Sequence, residues 1–468
     1  MSRLLSPRTK RRDRHRLAGA AILLLALVYI STNLLSSVRD DGIGGFEVLR
    51  SLRMSPAFAD LRHLTTLSGC SDAILDIDRG TAVGCDHWGR KGLGYPPLIF
   101  FITRALGVAE RQTEFIALVV GCSFLMIVVG RYWRVFIDQG WCGMWLCIAI
   151  LTGMPVQLGL ERMNLDLAIF SLMYLLCRIM TSPPSGGSSA PVRKLAESTL
   201  VVLVSFIISG TKIYPGVGLL LWLIYNKDRK IVSGLNTLSC GFGAIGGLFI
   251  GIAWLVTGSR TAAPGIGLIS HGLYLGHGES PLSIAEVALA LTTFVMTLVI
   301  GISLYGAQHS KECRSLLSPF AVLTSLTWIS CFIVGPSFDY RLILLVPSIC
   351  ELSAYGYRRY RKHQIASIEA GYIRFICKSV PIVYIVLCLS PIVYFANEHY
   401  TKASIVDSQG VASIAGLAFK YMAFYATRAG DLVGLPYVCA SLIIVLLVGS
   451  INFERSQMTA SPRLIDKE

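Results

Sequence analysis

The chain has 468 residues, of which 53% are hydrophobic and only 15% are charged. Its mean hydropathy is +0.61, and because a soluble domain usually carries about 25% charged residues, this composition excludes an ordinary soluble protein. Lys and Arg together number 42 against 28 Asp and Glu, which gives a net charge of +14. The position of this basic surplus along the chain decides whether it indicates nucleic-acid binding or membrane topology.

Apolar blocks recur from residue 17 to residue 450, separated by short polar segments. Lipid cannot hydrogen-bond a backbone, so each block of about 20 residues predicts a membrane-spanning helix. The sequence therefore predicts an all-α polytopic membrane protein with about twelve transmembrane helices. The predicted spans, of which the sixth is short, are 17–37, 112–130, 142–159, 164–180, 196–211, 214–226, 234–257, 283–305, 316–335, 341–357, 376–396 and 432–452.

Basic residues are concentrated in alternate loops. The first sixteen residues contain seven Lys and Arg side chains, so the positive-inside rule predicts a cytoplasmic N-terminus and an uncleaved first span. Later basic segments follow the same alternation, at 131–134, 193–194, 227–230, 311–314, 358–362 and 455–467. The charge thus indicates a multi-pass protein of the cell membrane with both termini in the cytoplasm, and not a nucleic-acid-binding protein.

The same alternation defines the domain organisation. It predicts a cytoplasmic basic tail at 1–16, one transmembrane body at 17–452 and a cytoplasmic tail at 453–468. The largest loop, 38–94, falls on the extracytoplasmic side and carries eight acidic residues. Apolar residues at helical spacing around 58–67 predict short interfacial helices there, and a loop of this length is usually functional.

Polar residues also collect at three other helix ends on the predicted outer side. They are Glu161–Asp166, Thr211–Pro215 and Phe338–Arg341. Ionisable groups near membrane depth are costly, so they usually pair or face a water-filled cavity. Pro215 is also expected to interrupt a helix, which is tolerated where the backbone lines protein or water. Together the segments predict an outward-facing polar cavity, although charges at helix ends also extend to lipid headgroups.

Several motif-based chemistries find no support in the sequence. It has no glycine loop followed by Lys-Ser/Thr, no HExxH, no CxxC and no GxSxG, so nucleotide hydrolysis and zinc proteolysis lose support. His271 and His277 are interpreted as part of a solvated glycine-rich loop. A disulfide between Cys70 and Cys85 is left open.

A set of local motifs follows one order along most of residues 17–345. Its members are Phe58–Arg62, Cys85–Arg90, Tyr95–Leu98, Glu161–Asp166, Lys212–Pro215 and Asp339–Leu342. This set resembles type-C glycosyltransferases that use polyprenyl-phosphate sugars, and most specifically the glycosyltransferase-87-like mannosyltransferases (DUF2029 relatives). Three departures affect the expected shape of the donor pocket. Met163 stands where those relatives have Gly, His87 stands where they often have Pro, and 38–55 is additional sequence before Asp60.

The resemblance implies transfer of a hexose, with mannose as the default, from a polyprenyl-phosphate sugar to a lipid- or polysaccharide-linked acceptor. This reaction needs a carboxylate to take the acceptor hydroxyl's proton and cations to hold the phosphate leaving group. The candidate bases are Asp60, its rivals Asp41 and Asp40, and Asp86. The candidate phosphate ligands are Arg341, Lys212 and Arg162. The candidate substrate-binding residues are Glu161, Asn164, Asp166, Tyr214, Asp339, Tyr340 and Tyr95. Glu161 and Asp166 could instead orient the cations, and the tyrosines could instead mark the membrane interface. Neither a metal ion nor a cofactor is expected.

Two other functions fit part of the pattern. A transporter or lipid-linked-sugar flippase would also have many spans and buried charges, but it predicts two related halves that are not visible in the sequence. A polysaccharide polymerase or ligase is expected to concentrate Arg and His in a large late loop, whereas here the largest outer loop comes first. The long, asymmetric first loop therefore favours a glycosyltransferase.

Overall fold

A computed structural model describes residues 7–39, 58–68, 97–182, 191–226, 234–257, 284–306, 317–334, 339–361, 373–389 and 430–460. Every regular element in these ranges is helical, which confirms the predicted all-α class. The α-helices are α1 Pro7–Arg39, α2 Ala59–Ser68, α3 Pro97–Ala105, α4 Thr113–Asp138, α5 Trp141–Thr152, α6 Met154–Arg162, α7 Leu165–Thr181, α8 Pro191–Thr211, α9 Ile213–Asn226, α10 Gly234–Thr257, α11 Ile284–Gly306, α12 Pro319–Val334, α13 Val346–Arg361, α14 at 373–389 and α15 Leu435–Ala460. A 3-10 helix at Asp339–Leu345 precedes α13, and a π-helical turn at Gly430–Gly434 precedes α15.

Within the described ranges, five segments are long and apolar enough to cross a membrane. They are His15–Thr32, Thr113–Asp138, Trp141–Leu160, Lys194–Thr211 and Gly234–Ala253. Shorter apolar segments occur at Ile213–Asn226, Ala288–Ile300, Pro319–Phe332 and Leu432–Leu447. These segments coincide with predicted spans, so the chain is a multi-pass helical membrane protein. Helix α2 lies where a short helix was expected in the first loop, whereas α3 was not predicted.

The third predicted span, 142–159, is not one continuous helix. Gly153 has an extended conformation (φ −69°, ψ 155°) and separates α5 from α6. Pro155 explains the interruption because it has no N–H to donate to the carbonyl of Leu151 and its ring would clash there. The side chain of Gln157 takes over this role, since its Nε2 donates to the Leu151 carbonyl at 3.2 Å.

Helices α8 and α10 pack closely through small residues. A Cβ added at Gly243 would lie 2.4 Å from the carbonyl oxygen of Val202, and one at Gly247 would lie 2.5 Å from that of Phe206. Glycines four residues apart allow two helix backbones to approach in this way within a membrane. The opposite face of α10 exposes large apolar side chains at helical spacing, which fits contact with lipid. These are Leu238, Phe242, Ile245, Phe249 and Ile252.

The helical body has two ends with different polar contacts. At one end, Arg16 pairs with Asp138 at 2.8 Å and Arg131 pairs with Glu351 at 3.2 Å. Arg16, Arg131 and Asp138 lie in or beside segments predicted to be cytoplasmic. Each pair has one member in the C-terminal half of α4. At the other end, where α4 begins, Thr65 of α2 hydrogen-bonds Thr113 at 2.7 Å. Helix α2 therefore docks on the end of α4 that lies opposite the Arg16–Asp138 pair.

Candidate active site

The start of α2 directs Asp60 into the protein. Phe58 has a left-handed backbone (φ 56°) and a fully buried side chain, and its carbonyl accepts a hydrogen bond from the Arg62 N–H at 2.7 Å. The Arg62 guanidinium in turn pairs with Glu114 of α4 at 3.2 Å. These contacts fix both the entry and the outer face of the helix. As a result, Asp60 in its first turn is only 4% exposed.

A two-residue turn between α6 and α7 places Asn164 and Asp166 beside Asp60. Met163 ends α6 in a left-handed conformation (φ 47°, ψ 58°), and Asn164 then caps α7 by accepting the Asp166 N–H at 3.0 Å. The left-handed conformation favours glycine, because a Cβ is strained there. This gives a physical reason for the Gly that the resembling family has at this position. Nδ2 of Asn164 donates to Oδ2 of Asp60 at 2.6 Å.

The interruption between α8 and α9 brings a buried cation next to Asn164 and Asp166. It falls at Lys212, whose Nζ donates to Oδ1 of Asp166 at 2.7 Å and to Oδ1 of Asn164 at 3.2 Å. The hydroxyl of Tyr214 also donates to Oδ1 of Asp166. The expectation that Pro215 interrupts the helix was wrong by a few residues. Pro215 lies in the first turn of α9, where a missing N–H leaves no intrahelical bond unmade.

Arg341, on the 3-10 helix, completes the group. Its Nε lies 3.7 Å from Oδ2 of Asp166, its Nη1 donates to Sγ of Cys331 at 2.7 Å, and its guanidinium carbon lies 4.8 Å from the centroid of the Tyr214 ring. We call Asp60, Asp166, Lys212 and Arg341 the charge cluster. Its members come from four separate segments of the chain, and Asn164 and Tyr214 connect them.

The charge cluster is electrically balanced, with two carboxylates against two cations. Such balance is required because an unpaired charge is very costly to bury, and the side chains of Asp166 and Lys212 are only 0% and 8% exposed. Asp166 is the shared partner of both cations. Among the described residues, its Oδ2 accepts no hydrogen bond, and the 3.7 Å to Arg341 is an ion-pair distance without a direct hydrogen bond.

The structure brings together six of the residues selected from the sequence. They are Asp60, Asn164, Asp166, Lys212, Tyr214 and Arg341. The backbones of Glu161 and Arg162 end α6, and those of Asp339 and Tyr340 begin the 3-10 helix, but the side chains of these four lie outside the described set. The following residues also lie outside the described ranges: Asp40, Asp41, Asp86, Tyr95, His271, His277, Cys70 and Cys85.

Sequence reasoning missed Cys331. It lies in an apolar block, so it was interpreted with the other cysteines as a small buried residue, and no local motif indicates its contact with Arg341.

In the described part of the chain, no three His, Cys, Asp or Glu side chains form a group able to hold a metal ion. The expectation of a metal-free site stays a prediction.

Comparison with solved structures finds similarity to ArnT from Cupriavidus metallidurans, which was crystallised bound to undecaprenyl phosphate. The two chains share 13% sequence identity, and the match covers 92% of this chain and 76% of ArnT with a TM-score of 0.35. That score is too low to assign a fold or a function. No protein-family model and no curated protein matches the sequence, so the resemblance to the glycosyltransferase-87-like family stays a prediction.

Proposed function

We propose that this chain is a membrane glycosyltransferase of the type-C class that moves a hexose from a polyprenyl-phosphate sugar to a lipid- or polysaccharide-linked acceptor. One observation carries the proposal. A buried carboxylate, Asp60, is hydrogen-bonded at 2.6 Å to Asn164, and the same amide accepts a hydrogen bond from Lys212 at 3.2 Å. A base and a cation are thus connected by one side chain. This is the pair of groups that transfer from a lipid phosphate requires.

In the proposed reaction, Asp60 takes the proton of the acceptor hydroxyl. The acceptor oxygen forms a bond to the anomeric carbon of the sugar while the bond from that carbon to the donor's phosphate oxygen breaks. The released polyprenyl phosphate gains one negative charge, and the carboxylate gains one proton. Asp60 is the proposed base because its carboxylate is hydrogen-bonded to Asn164, whereas the Asp166 carboxylate is already held in a direct ion pair with Lys212 at 2.7 Å. Asp41 and Asp86 remain the rival bases.

Arg341 is the proposed principal ligand of the donor phosphate, with Lys212 as a second and Arg162 as a third. The ion pair of Lys212 with Asp166 is short, at 2.7 Å, while Arg341 lies 3.7 Å from the same carboxylate. The looser pair is the easier one to exchange for a phosphate oxygen. A guanidinium also presents a planar fork of N–H donors that matches phosphate geometry.

For Asp166 the sequence left two roles open, orienting the cations or holding sugar hydroxyls, and its contacts favour the first. It accepts from Lys212 and Tyr214 through one oxygen and faces Arg341 with the other. We propose that it is the internal counter-ion that keeps both cations buried when no donor is bound. The remaining proposed contacts to the sugar or acceptor come from Glu161, Tyr95, Asp339 and Tyr340, and the positive-inside rule puts the site on the extracytoplasmic face.

The class of reaction is tested by sugar transfer in reconstituted bilayers. Purified wild-type protein is given polyprenyl-phosphate mannose and the glucose and arabinose analogues, with membrane lipid extract as acceptor. Arg341→Lys is measured in parallel, and Arg131→Lys is the matched control because Arg131 pairs with Glu351 at the opposite end of the body.

The proposal predicts wild-type transfer from at least one donor and an increase in donor KM for Arg341→Lys that is absent from Arg131→Lys. Equal donor KM values in the two variants would show that Arg341 does not bind the donor phosphate. Absence of transfer with every donor, together with movement of the lipid-linked sugar across the bilayer, would instead identify a flippase.

A further inference from the structure

The Arg341 side chain is oriented by two contacts that leave its charge almost unchanged. Nη1 donates to the Cys331 sulfur at 2.7 Å, and the Tyr214 ring lies under the guanidinium at 4.8 Å. A thiol sulfur is only a weak hydrogen-bond acceptor, and a ring face carries no net charge. Neither contact neutralises a cation as a carboxylate would. The charge of the guanidinium is balanced by Asp166 at 3.7 Å, while the sulfur and the ring hold its orientation and would continue to do so if a phosphate oxygen replaced that carboxylate.

Cys331 lies in a buried part of α12 that contacts Arg341. It lies in the last turn of α12, ten residues before Arg341, and is only 2% exposed. The rings of the nearby Trp328 and Phe332 stack with centroids 5.1 Å apart, and both side chains are buried. The helix segment that carries the sulfur is thus closely packed. An acceptor held by packing favours one orientation of the guanidinium, and preorganisation of this kind supports ligand binding.

We infer that Cys331 is a positioning residue that orients the Arg341 guanidinium for the phosphate of the lipid-linked donor. The inference rests on the proposed function and adds a residue to its donor site. Because the thiol acts through Arg341 on the binding of phosphate, its loss raises the donor KM and leaves kcat nearly unchanged. A residue that mattered only for packing would lower the amount of folded protein instead.

The test compares Cys331→Ala, Cys331→Val and Cys331→Ser in the full-length protein. Ala and Val remove the acceptor, and Val fills the space of the thiol, while Ser keeps a hydrogen-bond acceptor. Cys439→Ala is the matched control, because Cys439 is a fully buried thiol on α15. Each variant is measured for donor KM and kcat, and for direct binding of undecaprenyl phosphate in detergent micelles.

The expected result is an increase of about fivefold to tenfold in donor KM, and in the Kd for undecaprenyl phosphate, for both Ala and Val. Cys331→Ser and Cys439→Ala should stay within about twofold of wild type. Unchanged donor KM and Kd in Cys331→Ala and Cys331→Val would overturn the inference while the proposed function stood. The same conclusion would follow if Cys331→Ser raised KM and Kd as much as Cys331→Ala. A wild-type protein that neither binds undecaprenyl phosphate nor transfers sugar would overturn both.

Discussion

The amide nitrogen of Asn164 lies 2.6 Å from a carboxylate oxygen of Asp60, although 104 residues separate them in the chain. Asn164 also caps α7 through the Asp166 N–H and accepts a hydrogen bond from Lys212. One side chain thus connects the proposed base, a helix terminus and a buried cation. Its two functions, capping and orienting Asp60, can be separated by substitution.

Asn164→Ser keeps an N-cap oxygen but is too short to reach Asp60, whereas Asn164→Ala loses both contacts. We expect kcat for sugar transfer to fall about 10- to 100-fold in both variants, because a misplaced catalytic group costs this much. Only the Ala variant should also lose about 1 kcal/mol of stability from the missing cap. Transfer assays combined with thermal unfolding in detergent measure the two effects. A Ser variant with wild-type kcat would contradict the positioning role.

The buried ion pair between Lys212 and Asp166 predicts strong non-additivity. Lys212→Met leaves Asp166 buried beside a more distant Arg341, and removal of one partner from a buried pair costs about 3–5 kcal/mol. The double variant Lys212→Met/Asp166→Asn removes both charges, so its loss of unfolding free energy should be smaller than the sum of the single losses. Thermal unfolding of the three variants tests this expectation. Additive losses would show that the two side chains are not energetically coupled.

The left-handed conformation of Met163 predicts an unusual order of stabilities. Met163→Ala and Met163→Gly both delete a buried side chain, but only glycine relieves the left-handed strain, which costs about 1–2 kcal/mol. We therefore expect the Gly variant to be about 1 kcal/mol more stable than the Ala variant. At an ordinary helical position the order is reversed, so equal stabilities or a more stable Ala variant would argue against this turn.

The contact between α8 and α10 predicts that even one methyl group is harmful at Gly247. A Cβ there would lie 2.5 Å from the Phe206 carbonyl oxygen and 2.7 Å from the Gly210 nitrogen. Gly247→Ala should lower stability by about 1–3 kcal/mol through overpacking. Gly130→Ala on α4 is the control, because nothing lies within 4 Å of its added Cβ. Equal thermal midpoints for the two variants would contradict the close packing.

Much of this fold follows from hydropathy alone. The predicted spans 234–257 and 283–305 agree with α10 and α11 within a residue, because a long apolar block has one stable form in lipid. The interruption at Gly153 was missed, although Pro155 carried a local signal for it. The short helix α3 was missed because nine residues give too few turns for a clear periodic pattern.

The charge cluster could be predicted only in part. Asp166, Lys212 and Arg341 stand out because ionisable residues between apolar blocks need partners. The sequence does not encode which partner each one has, since that depends on how the helices pack around one another. Cys331 carried no signal, because a cysteine in an apolar helix looks the same whether it faces lipid, a neighbouring helix or a guanidinium.

The central claim, that Asp60 takes the proton of the acceptor, is tested most directly by the transfer rate of Asp60→Asn in bilayers. Asp41→Asn and Asp86→Asn represent the rival bases, and Asp138→Asn is the control because Asp138 pairs with Arg16 at the opposite end of the body. The account predicts that only Asp60→Asn loses kcat, by at least about 100-fold, while it still binds undecaprenyl phosphate. Near-wild-type transfer by Asp60→Asn, with loss in Asp41→Asn or Asp86→Asn, would contradict it.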